Sequence, residues 1–248
     1  TNDTERIRVD SSGRLLVGTT SADSNTRLHV SAAENTSDPM ATDASIVIAN
    51  TQNAGNNESA ALKFNLGNTN TASISAHYDS FSAGVNSSLR FYTQYQSAFN
   101  SPTERMRIDP NGRVTMPNQP CAMAYNAQGQ FMNGGAVAQF NSTRFNIGNM
   151  YNSSNGRMTV PVAGRYLVAY SGLHDYISQS AVGFDVRING SNFNGGEAYQ
   201  ESNDISNSQL SKTLILSLSA NDYVDIYIRS SGTRVHQRYG SFSMCLIT

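Results

Sequence analysis

The chain has 248 residues, a formal net charge of −1, 14% charged residues and 38% hydrophobic ones. So near-neutral a chain has no cationic face for a nucleic-acid backbone, whose binding rests on neutralised phosphates, and no polybasic patch for anionic lipid. It has no apolar window long enough to span a bilayer, and its opening TNDTERIRVD lacks the basic start and apolar run of a signal peptide.

The polar residues are mostly uncharged: 27 Asn, 33 Ser and 18 Thr stand against two lysines, Lys63 and Lys212. With 12 Tyr and 10 Phe in the chain, this composition suits packed strands and turns better than disorder or solvent-facing helices. The two cysteines, Cys121 and Cys245, make no disulfide framework and are expected as free thiols.

Taken in chain order, the first signal is a repeated phrase. Residues 4–14 read TERIRVDSSGR and residues 103–113 read TERMRIDPNGR, agreeing in residue type at ten of eleven positions. In each, apolar and arginine positions alternate as in a strand: Ile7 and Val9 against Arg6 and Arg8, Met106 and Ile108 against Arg105 and Arg107. An Asp-led turn follows, with Gly13 or Gly112 where positive φ is needed, and then a second short strand. The spacing predicts two β-hairpins, 4–18 and 103–117. Between them ASIVIAN (44–50), AALKFNL (60–66), ASISAHY (72–78) and SLRFYTQY (88–95) alternate as strands, while the Ala-rich stretch 32–41 breaks at Pro39. Residues 1–118 are therefore expected to form a β-rich shaft or knob domain of hairpin or sandwich type, with Pro117 and Pro120 marking a linker. The hairpin phrase resembles short repeats in tail-fibre and tail-spike proteins of tailed bacteriophages.

From residue 119 the alternation sharpens. Val182, Phe184, Val186 and Ile188 alternate with polar positions up to the hairpin turn Asn189-Gly190. Leu214, Leu216 and Leu218 repeat the pattern. Val224, Ile226 and Ile228 then oppose Tyr223, Asp225 and Tyr227, and Phe242, Met244 and Leu246 oppose Ser241, Ser243 and Cys245. Antiparallel strands of this kind over about 130 residues predict a jelly-roll sandwich for 119–248.

The order of these pieces resembles the globular head family of complement one-q and tumour necrosis factor. PCAMAY stands at the family's first strand, and Phe140, Asn141 and Asn149 lead into YNSSNGRMTVPVAGRYLVAYS at 151–171. There Tyr151, Asn152, Gly156, Pro161, Gly164 and Tyr166 hold the family's spacing. Ile188-Asn189-Gly190, Asp222-Tyr223-Val224 and the closing Tyr239-Gly240 with Phe242 continue it. The resemblance implies an all-β, trimeric head, with Gly156 and Gly164 at turns that need φ freedom. It implies Tyr166 and Tyr170 in the core or against a neighbouring subunit. It also places the first and last strands side by side, which leaves open whether Cys121 and Cys245 are neighbours. Cys245 lies on the face of Ser241 and Ser243, so no core disulfide is expected.

No residue is assigned to catalysis. His29, His77, His174 and His236 have no metal-ligand spacing, and neither a nucleophile elbow nor a phosphate loop is present. The pairs His77/Asp79 and His174/Asp175 are chance half-sites, nothing sets a glycosidase separation for Glu197, Glu201 or Asp204, and no metal or cofactor is expected. Two long polar segments, 173–180 and 191–209, are expected as loops presenting Tyr176, Phe193, Tyr199, Asn203 and Asp204 to a receptor, since function concentrates on loops held by a rigid scaffold. Together these readings predict an adhesive virion component: the distal part of a phage tail fibre, a non-enzymatic homotrimer outside the host cell. Its partners would be a host surface glycan or protein and, through a more N-terminal part, other tail proteins. The alternatives are a tail-spike depolymerase and a secreted bacterial lectin-like adhesin.

Overall fold

Residues 6–17, 19–21, 28–30, 48–50, 58–66, 69–80, 86–94, 102–127, 131–176, 181–201, 208–229 and 233–248 are described by the computed structural model, and among them no helix occurs. The chain forms two compact units, Thr1–Thr115 and Met116–Thr248.

The first unit contains β1 (Ile7–Val9), β2 (Leu15–Val17), β3 (Leu28–Val30), β4 (Ser59–Leu66), β5 (Thr69–Ser80), β6 (Asn86–Thr93), β7 (Thr103–Ile108) and β8 (Val114–Thr115). Both copies of the repeated phrase are hairpins, β1-β2 and β7-β8, closed by the same turn. In the first, one oxygen of Asp10 accepts the backbone N–H of Ser12 (2.9 Å) and Arg14 (3.0 Å), and the other takes the Arg14 Nε at 2.6 Å. Asp109 repeats this with Asn111 (2.9 Å), Arg113 N (2.9 Å) and Arg113 Nε (2.6 Å). Gly13 and Gly112 supply φ of 71° and 78°. The backbone N–H of Arg14 and of Arg113, charge-stabilising donors, hold the two carboxyls below the usual range.

Strands β4 to β8 make an antiparallel sheet in sequence order. The alternation read at 60–66, 72–78 and 88–95 is realised as β4, β5 and β6. Leu62, Ile74, Phe91 and Met106 align in one apolar cross-strand row. The opposite face is polar, with Arg90 joined to Asp79 and lying 3.5 Å from Glu104. Residues 44–47 of the expected ASIVIAN strand lie outside the described residues, and 48–50 are not strand.

The second unit is a sandwich of β9 (Cys121–Tyr125), β10 (Phe131–Asn133), β11 (Ala136–Val137), β12 (Ser142–Ile147), β13 (Tyr151–Asn152), β14 (Arg157–Thr159), β15 (Gly164–Tyr176), β16 (Ala181–Ile188), β17 (Ser191–Glu201), β18 (Ser208–Leu218), β19 (Tyr223–Ile228) and β20 (Thr233–Leu246). One sheet runs β12-β9-β20-β15-β18 and the other β13-β14-β19-β16-β17, with β10 on β20 and β11 on β19. The expected alternation sends Phe242, Met244, Tyr166, Val168 and Tyr170 inward from the first sheet and Phe184, Val186, Val224, Ile226 and Ile228 from the second. Tyr166 and Tyr170 are thus core residues. Tyr151 anchors the entry: its hydroxyl accepts the Phe140 N–H at 2.7 Å and donates to the Phe140 carbonyl at 3.0 Å. Asn189 and Gly190 take φ of 53° and 81°, the two-residue type I′ turn expected between β16 and β17.

Three expectations are corrected here. Cys121 and Cys245 are not free thiols: they pair directly across β9 and β20, Cα atoms 4.0 Å apart, and are joined as a disulfide. The bond lies on the outward face, as the position of Cys245 beside Ser241 and Ser243 implied. Gly164 is not a φ-driven glycine. A Cβ there would stand 2.6 Å from the Thr248 carbonyl oxygen, so close approach of the C-terminal residue requires it, whereas Gly156 does take φ of 73°. The segments 173–180 and 191–209 are not simply loops. Residues 173–176 continue β15, and 191–201 are β17, held to β16 by register from Ala181↔Glu201 to Ile188↔Ser191. Backbone pairing, not side-chain burial, makes β17 a strand, and its composition conceals this.

Candidate functional site

Outward side chains of β14, β19, β16 and β17 form one continuous stripe on the second sheet. Because Val224, Ile226 and Ile228 face the core, Tyr223, Asp225 and Tyr227 face out; on β16, Phe184 and Val186 face in, so Asp185 and Arg187 face out. The register sets Thr159 beside Tyr223, Arg187 beside Asp225, and Asp185 beside both Tyr227 and Glu197.

These neighbours lock together. Arg187 binds Asp225 bidentately at 2.7 and 3.1 Å and lies 4.4 Å over the Tyr227 ring. Arg229 binds Asp185 bidentately at 2.8 and 2.5 Å and stands 5.8 Å over Tyr199. Arg157 lies 4.0 Å over Tyr223. Asp225 is wholly enclosed by these groups. The carboxylate hydrogen bonds raise Arg187 and Arg229 above the ordinary guanidinium pKa, so both stay charged. The Tyr199 hydroxyl donates to Glu201 at 2.8 Å, and that bond, with the nearby negative charge, raises its pKa. Both oxygens of Asp185 and of Asp225 are thus occupied by an arginine. The stripe is an array of aromatic faces and fixed charges held in place by these contacts.

Of the residues expected at a receptor site, Tyr199 lies on this stripe, half exposed, and Phe193 is exposed farther along β17. The backbone of Tyr176 pairs with Thr233 at the end of β15. Its side chain and all of Asn203 and Asp204 lie outside the described residues. Arg157, Arg187, Tyr223 and Tyr227, the other members of the stripe, carry no motif that singles them out in the sequence, although the alternation placing Arg187, Tyr223 and Tyr227 opposite the core was legible.

The half-sites dissolve. His77 Nε2 meets Ser75 Oγ at 3.0 Å and Tyr92 Oη at 3.2 Å, while Asp79 is held by Arg90 and Ser88. Burial lowers the His77 pKa, with the Arg90 charge adding to it. His174 points into the core and Asp175 outward to Arg234, at 2.8 Å, so these neighbours in sequence never meet. In the first unit a cleft of about 410 Å³ includes Glu58, His77 and Tyr78 beside Ile48 and Ala76. Among the described residues no group of three or more His, Cys, Asp or Glu is placed to hold a metal, and no helix is long and apolar enough to cross a membrane.

Comparison with known proteins bears on residues 122–246, which match the C1q domain model. Among solved structures, the globular domain of zebrafish complement 1qA protein aligns at 16% identity over 52% of this chain and 98% of its own, with a TM-score of 0.41. The structure of Eiger TNF from S. frugiperda aligns at 14% identity over 53% and 94%, with a TM-score of 0.42. No curated protein matches. The family match takes in half of the chain and runs through both sheets of the sandwich, and the chain belongs to the C1q domain family.

Proposed function

We propose that this chain is the distal, receptor-binding part of a phage tail fibre, displayed outside the host cell as a homotrimer and without catalytic activity. The observation that carries the reading is the locked Arg–Tyr–Asp stripe on a rigid jelly-roll face, in a chain whose other unit carries two copies of one capped hairpin. Adhesive and recognition proteins often use C1q domains, and such domains typically form trimers. A subunit interface is supported by the outward face of the first sheet. There Ile147, Cys121, Cys245, Leu167 and Ile215 align in one cross-strand row, with Ile215 62% exposed in the single chain. The absence of an enzymatic role is supported by Asp185 and Asp225, each tied bidentately to arginine.

The test is antibody labelling of virions of a phage encoding this chain, with adsorption measured in the presence of the purified protein. Label at the fibre tips and blocked adsorption are expected. Label elsewhere, or unimpaired adsorption at saturating protein, overturns the reading. Reducing ends released from host polysaccharide by the purified chain would overturn the non-catalytic part.

A further inference from the structure

We infer that the stripe takes an acidic saccharide, and that Arg157 is the group that grips its carboxylate; the inference rests on the reading of the head as receptor-binding. Three guanidiniums lie over three tyrosine rings, but they are not equivalent. Arg187 and Arg229 each have a carboxylate held bidentately. Arg157 has none. Its nearest acidic oxygen is Asp225 Oδ2, 3.8 Å from Nε, and that oxygen already accepts from Arg187 at 3.1 Å. Arg157 Nε is buried with no hydrogen-bond partner, and among the described residues the guanidinium has no other ion pair.

The side chain is nevertheless held in place. Met158 beside it is fully buried, which turns the Arg157 side chain to the outer face, and Asn155 Oδ1 accepts the Arg157 backbone N–H at 3.1 Å, fixing the main chain there. Its Cζ rests 4.0 Å over the Tyr223 ring, which holds the guanidinium against that face while the side chain stays 40% exposed. A planar cation so oriented, with unused outer donors, matches the two oxygens of a carboxylate.

The surroundings favour a sugar acid over an acidic peptide. Thr159 shares the outward face of β14 with Arg157 and pairs with Tyr223, and Asn152 pairs with Arg157, so with Asp225 taken by Arg187 the neighbours of the cation on its own hairpin are a hydroxyl and an amide. Along the stripe the exposed Glu197 and Glu201 repel a run of acidic side chains but not a single carboxylate on a neutral ring.

The experiment measures binding of a neutral oligosaccharide ending in one galacturonate, its methyl ester and a poly-glutamate peptide to the full chain and to Arg157→Ala and Arg157→Lys, by calorimetry. Expected is binding of the acid-ended saccharide, weakened at least tenfold by esterification and by Arg157→Ala, less by Arg157→Lys, with melting temperatures nearly unchanged. Equal binding of acid and ester, retention by Arg157→Ala, tighter binding of the peptide, or no binding of the acid-ended saccharide overturns the inference. Adsorption separates the two readings. If wild type and Arg157→Ala block phage adsorption equally, the receptor-binding role stands and the acidic-saccharide assignment falls. If the wild-type chain blocks nothing, the receptor-binding role itself falls.

Discussion

Cys121 and Cys245 face each other across the first and last long strands of the head, 124 residues apart in sequence and joined as a disulfide on the outward face. Closing so long a loop restricts the unfolded chain, an effect on the order of 5 kcal/mol in the chain-entropy description. The Leu246 N–H bonded to the Pro120 carbonyl at 2.9 Å and the rest of the β9-β20 ladder persist without it. Reduction, or Cys245→Ser, is expected to lower the melting temperature of the head by several degrees while circular dichroism keeps its β signature. Alkylation of both thiols in the unreduced native protein would show that the bond is absent.

His174 sets a second expectation. It is fully buried, stacked on Phe184 with ring centroids 5.7 Å apart, its Nε2 is 3.1 Å from the Tyr170 hydroxyl, and its Nδ1 has no partner. Burial lowers its pKa from 6.5 to about 4. The unfolded chain therefore takes up this proton below about pH 6.5 and the folded chain only near pH 4, so stability falls as pH drops through that window and is indifferent to this group above it. The loss amounts to at most about 3 kcal/mol. Denaturant midpoints measured from pH 7 to pH 4 should show the slope in wild type and lose most of it in His174→Phe; an identical slope in both would rule the histidine out.

Asp225 and Asp109 test burial against charge. Asp225 is enclosed and holds Arg187 bidentately, so Asp225→Asn leaves an uncompensated cation and is expected to cost about 3 kcal/mol. Asp109 caps a solvent-facing turn, and Asp109→Asn keeps an oxygen for the N–H groups of Asn111 and Arg113. Chemical denaturation should rank the first substitution well above the second. The reverse order would mean the stripe is not rigid.

Ile215, 62% exposed at the end of the apolar row, reports on assembly. Light scattering coupled to gel filtration is expected to give a trimer for wild type and smaller species for Ile215→Glu. A wild-type monomer at micromolar concentration is the result that would remove the interface.

Tyr199 lies half exposed on the stripe, its ring edge against Gly183, where an added Cβ would stand 3.2 Å from Cδ2. Tyr199→Ala is expected to weaken adsorption of the chain to host cells several-fold, since an aromatic anchor contributes much contact area, while the melting temperature barely moves. Undiminished adsorption places the contact elsewhere.

The amino-acid sequence by itself determined whatever depends on near neighbours. The Asp-led turns at Asp10 and Asp109, the Asn189-Gly190 turn and the two-residue alternation of β16, β19 and β20 are local steric and hydrogen-bonding facts. Extending that alternation along β15 also reaches His174 on the face of Tyr166, Val168 and Tyr170. Tertiary structure alone decided which distant strands became neighbours. Cys245 opposite Cys121, Asp225 beneath Arg187 and Tyr223 under Arg157 follow from sheet order and register, which no single strand encodes. Segment 191–201 is the plainest case. As an edge strand it buries little beyond Gly196, so its side chains carry no apolar period, and only the backbone hydrogen bonds offered by β16 make it a strand.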